Sequence, residues 1–222
     1  MINTIIFDLD GTLLNTLEDL ADSVNYALAK SGYALRTMEE VRMFVGNGVG
    51  KLVERALPDG RENPLYTQVF EDFKVHYGVH CQDKTRPYPG IMELLDELAG
   101  AGYRIAIVSN KMDGAVKKLA EEYFGEKIPV AIGECEHIRR KPAPDTVYAA
   151  LKELHVTGEQ AVYVGDSEVD LQTAAAAGIP CISVTWGFRS KEQLLSAGAV
   201  KDHIIHTPDE LTPLLRVLFP AE

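Results

Sequence analysis

Residues 5–14 read IIFDLDGTLL. An apolar run of strand type, Thr4 to Phe7, ends in two carboxylates two positions apart, Asp8 and Asp10, with Gly11 and Thr12 directly after them. Like charges this close repel each other unless a cation sits among them. Immediately afterwards the pattern turns helical: Leu17, Leu20, Ala21, Val24 and Leu28 share one face, Thr16 stands at an N-cap position, Asp19 lies in the first turn and Gly32 marks the stop. A strand that exits through acids into a helical block, with no strand directly after it, decides how the rest of the chain is parsed.

Working outward, a second helix starts at Thr37, where Glu40 completes a capping box. A third runs from Gly48 to Leu57 and halts at Pro58, and a fourth opens with Asn63-Pro64 as N-cap and N1 and runs to about Tyr77. Residues 15–82 thus read as all-helical. After RPYPG (86–90) the rhythm becomes helix, strand, helix, strand: IMELLDELAGAG then YRIAIVSN, GAVKKLAEEYF then PVAIGE, PDTVYAALKEL then QAVYVGDS, VDLQTAAAAG then PCISVTW. Continuous apolar strands between amphipathic helices imply a parallel sheet covered on both faces. The expected fold is α/β, a doubly wound parallel-sheet core of Rossmann type formed by residues 1–14 and 83–222. An all-helical cap, residues 15–82, is inserted after the first strand.

Composition narrows the function classes. The 222 residues are 46% hydrophobic and 25% charged, enough for one full domain and a smaller one. Against 33 Asp and Glu stand 22 Lys and Arg, a formal charge of −11, which repels a polynucleotide. The basic cluster Arg139-Arg140-Lys141 is too short for a nucleic-acid track. Cys81, Cys135 and Cys181 are odd in number and widely spaced, so neither a zinc site nor a disulfide framework is expected and a reducing cytoplasm fits. Asp8 and Asp10 interrupt the N-terminal apolar run, so no secretory segment is expected; no apolar run reaches the roughly 18 residues of a membrane span. Oligomeric state leaves no mark in the sequence.

In open parallel sheets ligands bind beyond the carboxyl ends of the strands, where the strand order reverses. After TIIF come Asp8, Asp10 and Thr12, after RIAIV come Ser109 and Asn110, and after AVYV come Gly165, Asp166, Ser167 and Asp170. PVAI leads through Glu134 to Arg140-Lys141-Pro142. Carboxylates converging from two strands suit an all-oxygen Mg²⁺ site, whose remaining ligands are waters and a substrate phosphate. Lys141, Ser109 and the backbone N–H groups around Gly11-Thr12 supply what phosphoryl oxygens need, with Gly11 allowing close backbone approach. The acids can divide the work, one attacking phosphorus and the other carrying the proton for the leaving group and then for water.

Asp8-x-Asp10-Gly11-Thr12, Ser109-Asn110, Lys141-Pro142 and Gly165-Asp166-Ser167-x-x-Asp170, in that order and on those elements, resemble the four motifs of the haloacid dehalogenase superfamily of phosphohydrolases. AAAAGIPCISVTWG, HIIHTPDEL and VGNGVGKLVERAL also resemble the branch that contains phosphoglycolate phosphatases. The resemblance implies that Asp8 attacks the ester to form an aspartyl phosphate, and that Asp10 protonates the leaving alcohol and then activates water. Mg²⁺ is then held by the Asp8 and Asp166 carboxylates and the Asp10 carbonyl. Thr12, Ser109, Asn110 and Lys141 bind the phosphoryl group, and Asp170 steers Lys141 or metal-bound water. Asn15 stands where many relatives have Asp. The presence of Asp10 argues against the dehalogenase and phosphonate-hydrolase branches, and the lack of a histidine in residues 16–30 against a sugar-phosphate mutase.

Plainer readings stand beside these. Asp166 and Asp170 also suit an N-cap region and first helical turn, Ser109 an N-cap, and Lys141 a solvated loop charge. In the cap, Gly46-Asn47-Gly48 opens a helix whose N–H groups suit a substrate carboxylate, with Lys51 or Arg55 assisting; a simple tight turn is the alternative. His76 and His80, one turn apart beside Cys81, read as surface histidines, and Trp186 as core or sheet-edge packing. The expectation is a cytoplasmic Mg²⁺-dependent phosphatase of a small phosphorylated metabolite, 2-phosphoglycolate first. A sugar phosphate or pyrophosphate is the alternative within catalysis, and a phosphate-sensing module of the receiver type the alternative outside it.

Overall fold

The computed structural model describes residues 1–220. The chain starts with β1 (Thr4–Phe7) and β2 (Leu14–Asn15), then four helices, α1 (Leu17–Lys30), α2 (Met38–Phe44), α3 (Val49–Ala56) and α4 (Tyr66–His80), and β3 (Arg86–Pro87). Helices and strands then alternate: α5 (Ile91–Gly100), β4 (Arg104–Met112), α6 (Asp113–Phe124), β5 (Val130–Glu134), α7 (Asp145–Leu154), β6 (Ala161–Gly165), α8 (Glu168–Ala177) and β7 (Cys181–Val184). The chain closes with α9 (Lys191–Ser196), β8 (Ile204–Ile205) and α10 (Leu211–Leu218).

Among the described residues, six strands form one parallel sheet in the order β5-β4-β1-β6-β7-β8. This is the doubly wound α/β architecture. All of β1 is buried; a strand covered on both faces needs apolar side chains in both directions, which is why Ile5, Ile6 and Phe7 do not alternate with polar residues. Ile5 stands opposite Ile105 on one side and Val162 on the other. Below one face Ile6, Val108, Val147, Tyr163 and Ala174 share a buried cluster. Strand order reverses at β1, with β4 and β5 to one side and β6 to β8 to the other. The carboxyl ends of β1, β4 and β6 therefore flank the crevice where ligands bind in such sheets.

The chain divides into two compact units, Met1–Leu13 with Pro87–Glu222, and Leu14–Arg86. In the second, α1 packs on α4 and Val24, Leu28, Val69 and Phe73 are buried. This unit extends to Arg86 rather than stopping at 82, because the buried Asp19 carboxylate accepts the backbone N–H groups of Lys84 (3.0 Å) and Thr85 (2.8 Å). The Thr37–Glu40 capping box forms at the start of α2. Helix α4 departs from its sequence expectation, starting at Tyr66 and running to His80. The Asn63 Oδ1 accepts the Leu65 N–H (2.9 Å) and the Tyr33 hydroxyl (2.9 Å), so Asn63 ends a turn ahead of the helix instead of capping it. His76 is half-buried: Tyr26 stacks on its ring at 4.2 Å, and its Nδ1 lies 3.0 Å from the Ser23 hydroxyl.

Ile6, fully buried in the centre of the sheet, tests this core. Ile6→Ala removes three methyl-sized groups from a close-packed site and is expected to cost about 2–5 kcal/mol. The urea midpoint monitored by circular dichroism should fall accordingly, with little change in the slope of the transition.

Candidate active site

The first turn after β1 is held from both ends. Asp8 N–H donates to the Val164 carbonyl of β6 (2.9 Å), and Leu13 N–H donates to Leu9 O (3.0 Å). Leu9 and Leu13 are both fully buried, which pins the turn to the core. Between them Gly11 has φ +91°, and a Cβ there would stand 2.5 Å from Asp166 Oδ2 and 2.8 Å from its Cγ. Only glycine admits that conformation together with that approach. The DxDGT turn thus leans directly against the carboxylate at the end of β6.

Asp8, Asp166 and Asp170 each bring a carboxylate oxygen to within 4.8 Å of the others, and all three are buried. Lys141, from the loop after β5, reaches into this group. Its ammonium donates to Asp8 Oδ1 (2.7 Å), Asp170 Oδ1 (2.8 Å) and the Tyr163 hydroxyl (3.0 Å). Tyr163 in turn donates to Asp170 Oδ1 (2.9 Å). The other Asp170 oxygen meets the Ser167 N–H (3.1 Å) and hydroxyl (2.6 Å) at the start of α8. The two readings of Asp170, helix-capping acid and partner of Lys141, therefore hold together, one on each oxygen. Lys141 is no solvated loop charge, being 3% exposed.

Asp10 points elsewhere. Its Oδ1 lies 2.9 Å from the Lys111 ammonium, and its Oδ2 is 3.5 Å from the Ser109 hydroxyl. Ser109 is no helix cap: it sits inside β4, and its hydroxyl accepts the Lys111 N–H (3.1 Å). Asn110 donates from Nδ2 to the Lys141 carbonyl (3.0 Å), so its amide fixes the lysine's loop. The Thr12 N–H is taken by Leu9 O (3.3 Å) and its carbonyl accepts the Trp186 indole N–H (2.9 Å). Trp186, expected as packing alone, is a hydrogen-bond donor to the site's own turn.

Charge explains what the site can do. Asp8, Asp10, Asp166 and Asp170 face the ammonium groups of Lys111 and Lys141, leaving an excess of negative charge in a buried space. Burial, and then the neighbouring Asp170 charge, push the Asp8 carboxyl up to about 7 even against Lys141. Burial and then Asp170 likewise hold Asp166 well above the ordinary carboxylate range. Burial works against the Lys141 ammonium, yet Asp170 and Asp8 outweigh it and keep the lysine above its ordinary value. A buried carboxylate trio with too little positive charge, offering only oxygen donors, fits a hard divalent cation. Both oxygens of Asp170 are already engaged, one by Lys141 and the other by Ser167, so Asp8 and Asp166 could hold such a cation.

Lys111, Tyr163 and the Phe188 N–H, which donates to Asp166 Oδ2 (2.6 Å), are not legible in the sequence as site groups. Lys111 carries one signal, a charge two residues beyond Ser109 at a strand end; Tyr163 sits inside an apolar strand, and a backbone donor has no sequence signal at all. In the helical unit, Gly46, Asn47 and Gly48 have φ of 118°, 62° and 84°. Lys51 is paired with Glu54 (2.7 Å), and Arg55 donates to the carbonyls of Phe44 (2.7 Å) and Gly46 (3.4 Å). Both cations expected to assist a ligand are engaged within their own unit.

Acids, a serine and a lysine gathered at the reversal point of a doubly wound sheet, with a helical insertion after the first strand, suit the handling of a phosphoryl group. The family model of haloacid dehalogenase-like hydrolases matches residues 5–184. The phosphoglycolate phosphatase of Rhodospirillum rubrum is 35% identical over 208 residues, 90% of this chain and 86% of that one. That of Cereibacter sphaeroides is 36% identical over 221 residues, covering 96% and 98%. A crystal structure from Lactobacillus delbrueckii subsp. bulgaricus superposes with a TM-score of 0.91 at 36% identity, covering 99% of each chain. The CbbY protein of Rhodobacter sphaeroides, solved with phosphate, gives 0.76 at 28% identity, covering 95% and 96%. The chain belongs to the haloacid dehalogenase-like hydrolase family and is a phosphoric monoester hydrolase similar to phosphoglycolate phosphatases. Among the described residues no helix is long and apolar enough to cross a membrane.

The raised carboxyls yield a pH test. Asp8 and Asp166 bind protons more tightly folded than unfolded, so their ionisation opposes folding. For Asp8 the opposition is absent below about pH 4 and complete above about pH 7. EDTA-treated protein should therefore melt at a lower temperature at about pH 8 than at about pH 5, and a divalent cation, which replaces the protons, should raise the melting temperature more at the higher pH. An equal rise at both pH values contradicts the assignment of the cation to these carboxylates.

Proposed function

We propose that the protein hydrolyses 2-phosphoglycolate with Mg²⁺ through an aspartyl phosphate on Asp8. The carrying observation is the buried contact of Asp8 with Lys141 beside Asp166 and Asp170, while Asp10, two residues on, is turned to Lys111 and Ser109. One acid sits with the electrostatic machinery and the other stands apart from it, as nucleophile and proton carrier require. A bound Mg²⁺, which Asp8, Asp166 and the Asp10 carbonyl would hold, would supply positive charge to the phosphoryl oxygens. An Asp8 carboxylate oxygen attacks phosphorus; the bond from phosphorus to the ester oxygen breaks, and Asp10 gives its proton to the departing alkoxide. Asp10 then takes a proton from water as the water oxygen attacks phosphorus. The bond to Asp8 breaks with its electron pair returning to the carboxylate, and inorganic phosphate leaves. Lys141 and Ser109 stabilise charge on the transferring group, and Thr12 and Asn110 hold the turn and the lysine loop around it.

The choice of 2-phosphoglycolate is supported by relatives of that name at 35% and 36% identity over 90% and 96% of this chain. A second reading, a phosphorylated sugar, is favoured by the R. sphaeroides CbbY protein, a variant of which was solved with xylulose-(1,5)bisphosphate. Selection between them is assigned to the helical unit, with Gly46, Asn47, Gly48 and Lys51 as its substrate contacts. That assignment is supported by the three successive left-handed residues ahead of α3. A cytoplasmic location is in line with the odd number and wide spacing of Cys81, Cys135 and Cys181.

Asp8→Asn should abolish turnover with an unchanged circular dichroism spectrum. Asp10→Asn should lower kcat by about 10²- to 10⁴-fold, the usual worth of a positioned proton carrier. Normal turnover by either variant rejects the assigned role. Across a panel of small phosphate monoesters, phosphorylated sugars and pyrophosphate at fixed Mg²⁺, 2-phosphoglycolate should be among the highest in kcat/KM. A sugar phosphate far ahead of it establishes the second reading.

A further inference from the structure

We propose that Trp186–Arg189 is a clamp that positions the cation-holding carboxylate Asp166, with Arg189 as the positioning residue that anchors it. The inference rests on the reading of Asp8 and Asp166 as holders of a divalent cation. None of these four residues belongs to the four motifs that carry the superfamily resemblance, yet the segment touches them at several points. The Trp186 indole N–H donates to the carbonyl of Thr12 (2.9 Å) and so grips the turn after β1. Gly187 lies so close to that turn and to Asp166 that a Cβ would overlap Gly11 O and the Asp166 side chain. The Phe188 N–H donates to Asp166 Oδ2 at 2.6 Å. Arg189, 7% exposed, closes the segment with a two-pronged pair to Glu168, Nε to Oε2 (2.9 Å) and Nη2 to Oε1 (3.2 Å).

The consequence is geometric. A short charge-assisted hydrogen bond on one oxygen of a carboxylate fixes its plane and leaves the other oxygen for a cation. That bond comes from a loop, and the loop is fastened at both ends: by the indole to the Asp8–Thr12 turn, and by the guanidinium to Glu168, the first residue of α8 and two residues from Asp166. The planar fork of arginine meets both carboxylate oxygens at once, which a lysine at this position does not do. The clamp thus couples the spacing between the β1 turn and the β6 end to a single four-residue segment.

The test is calorimetric titration of EDTA-stripped protein with Mn²⁺, with kcat at saturating metal and urea midpoints measured on the same preparations. Arg189→Met should raise the Mn²⁺ Kd about 10- to 100-fold, the typical effect of losing a group that orients a ligand, while kcat at saturating Mn²⁺ falls by less than about threefold. Arg189→Lys should restore part of the affinity, and Trp186→Phe should weaken it in the same direction. Folded Arg189→Met with a Kd within about twofold of wild type overturns the proposal. If that variant does not fold, Trp186→Phe and Glu168→Gln carry the comparison, and unchanged Kd values in both overturn it. Wild-type protein that binds no Mn²⁺ defeats the metal reading itself, a result distinct from failure of the clamp.

Discussion

The ammonium of Lys141 sits between the carboxylates of Asp8 and Asp170 with almost no access to water. Removing such charges from solvent is costly, and the cost is met only when each has a close partner of opposite sign. One lysine cannot balance Asp8, Asp166 and Asp170 together, and the excess negative charge calls for a further cation. The fold is arranged around that shortfall. Three strand ends and the loop after β5 must arrive at one point, which a parallel sheet with its order reversing at β1 provides.

Several residues serve the scaffold and the chemistry at once. Asp170 closes the first turn of α8 with one oxygen and receives Lys141 with the other. Tyr163 lies in the apolar cluster under the sheet, yet its hydroxyl joins the lysine and Asp170. Asn110 ties the end of β4 to the Lys141 carbonyl. Hydrogen bonds that satisfy buried polar groups here are thus among the same bonds that orient the reactive ones.

Separation of the two N-terminal acids is the other constraint. Asp8 and Asp10 leave the same strand two residues apart, but Lys141 holds the first and Lys111 the second. Two ammonium groups on two different segments divide a pair of like charges into two environments, and different environments allow different roles.

Much of this is readable from the residues. The run Ile5-Ile6-Phe7, buried on both faces, announces a central parallel strand, and the Thr37–Glu40 spacing announces a capping box. Asp8, Asp166 and Lys141 stand out as polar residues beyond the strand ends, and Ser109 as the polar residue that follows the apolar part of β4, because side-chain type and strand periodicity are local properties. The start of α4 escapes such reading because Asn63 commits its side chain to Leu65 and Tyr33, the latter 30 residues away. Lys111 and Tyr163 escape it because the partner that gives each a role is remote in sequence or lies across the site. By itself the sequence determined the order of elements, the inserted helical block and the chemical types available at the strand ends. Only tertiary structure decided which lysine meets which aspartate, that the Thr12 N–H is consumed within its own turn, and that the Trp186–Arg189 segment braces Asp166. Pairing, burial and backbone donation depend on atoms brought together through space, and no local pattern encodes those distances.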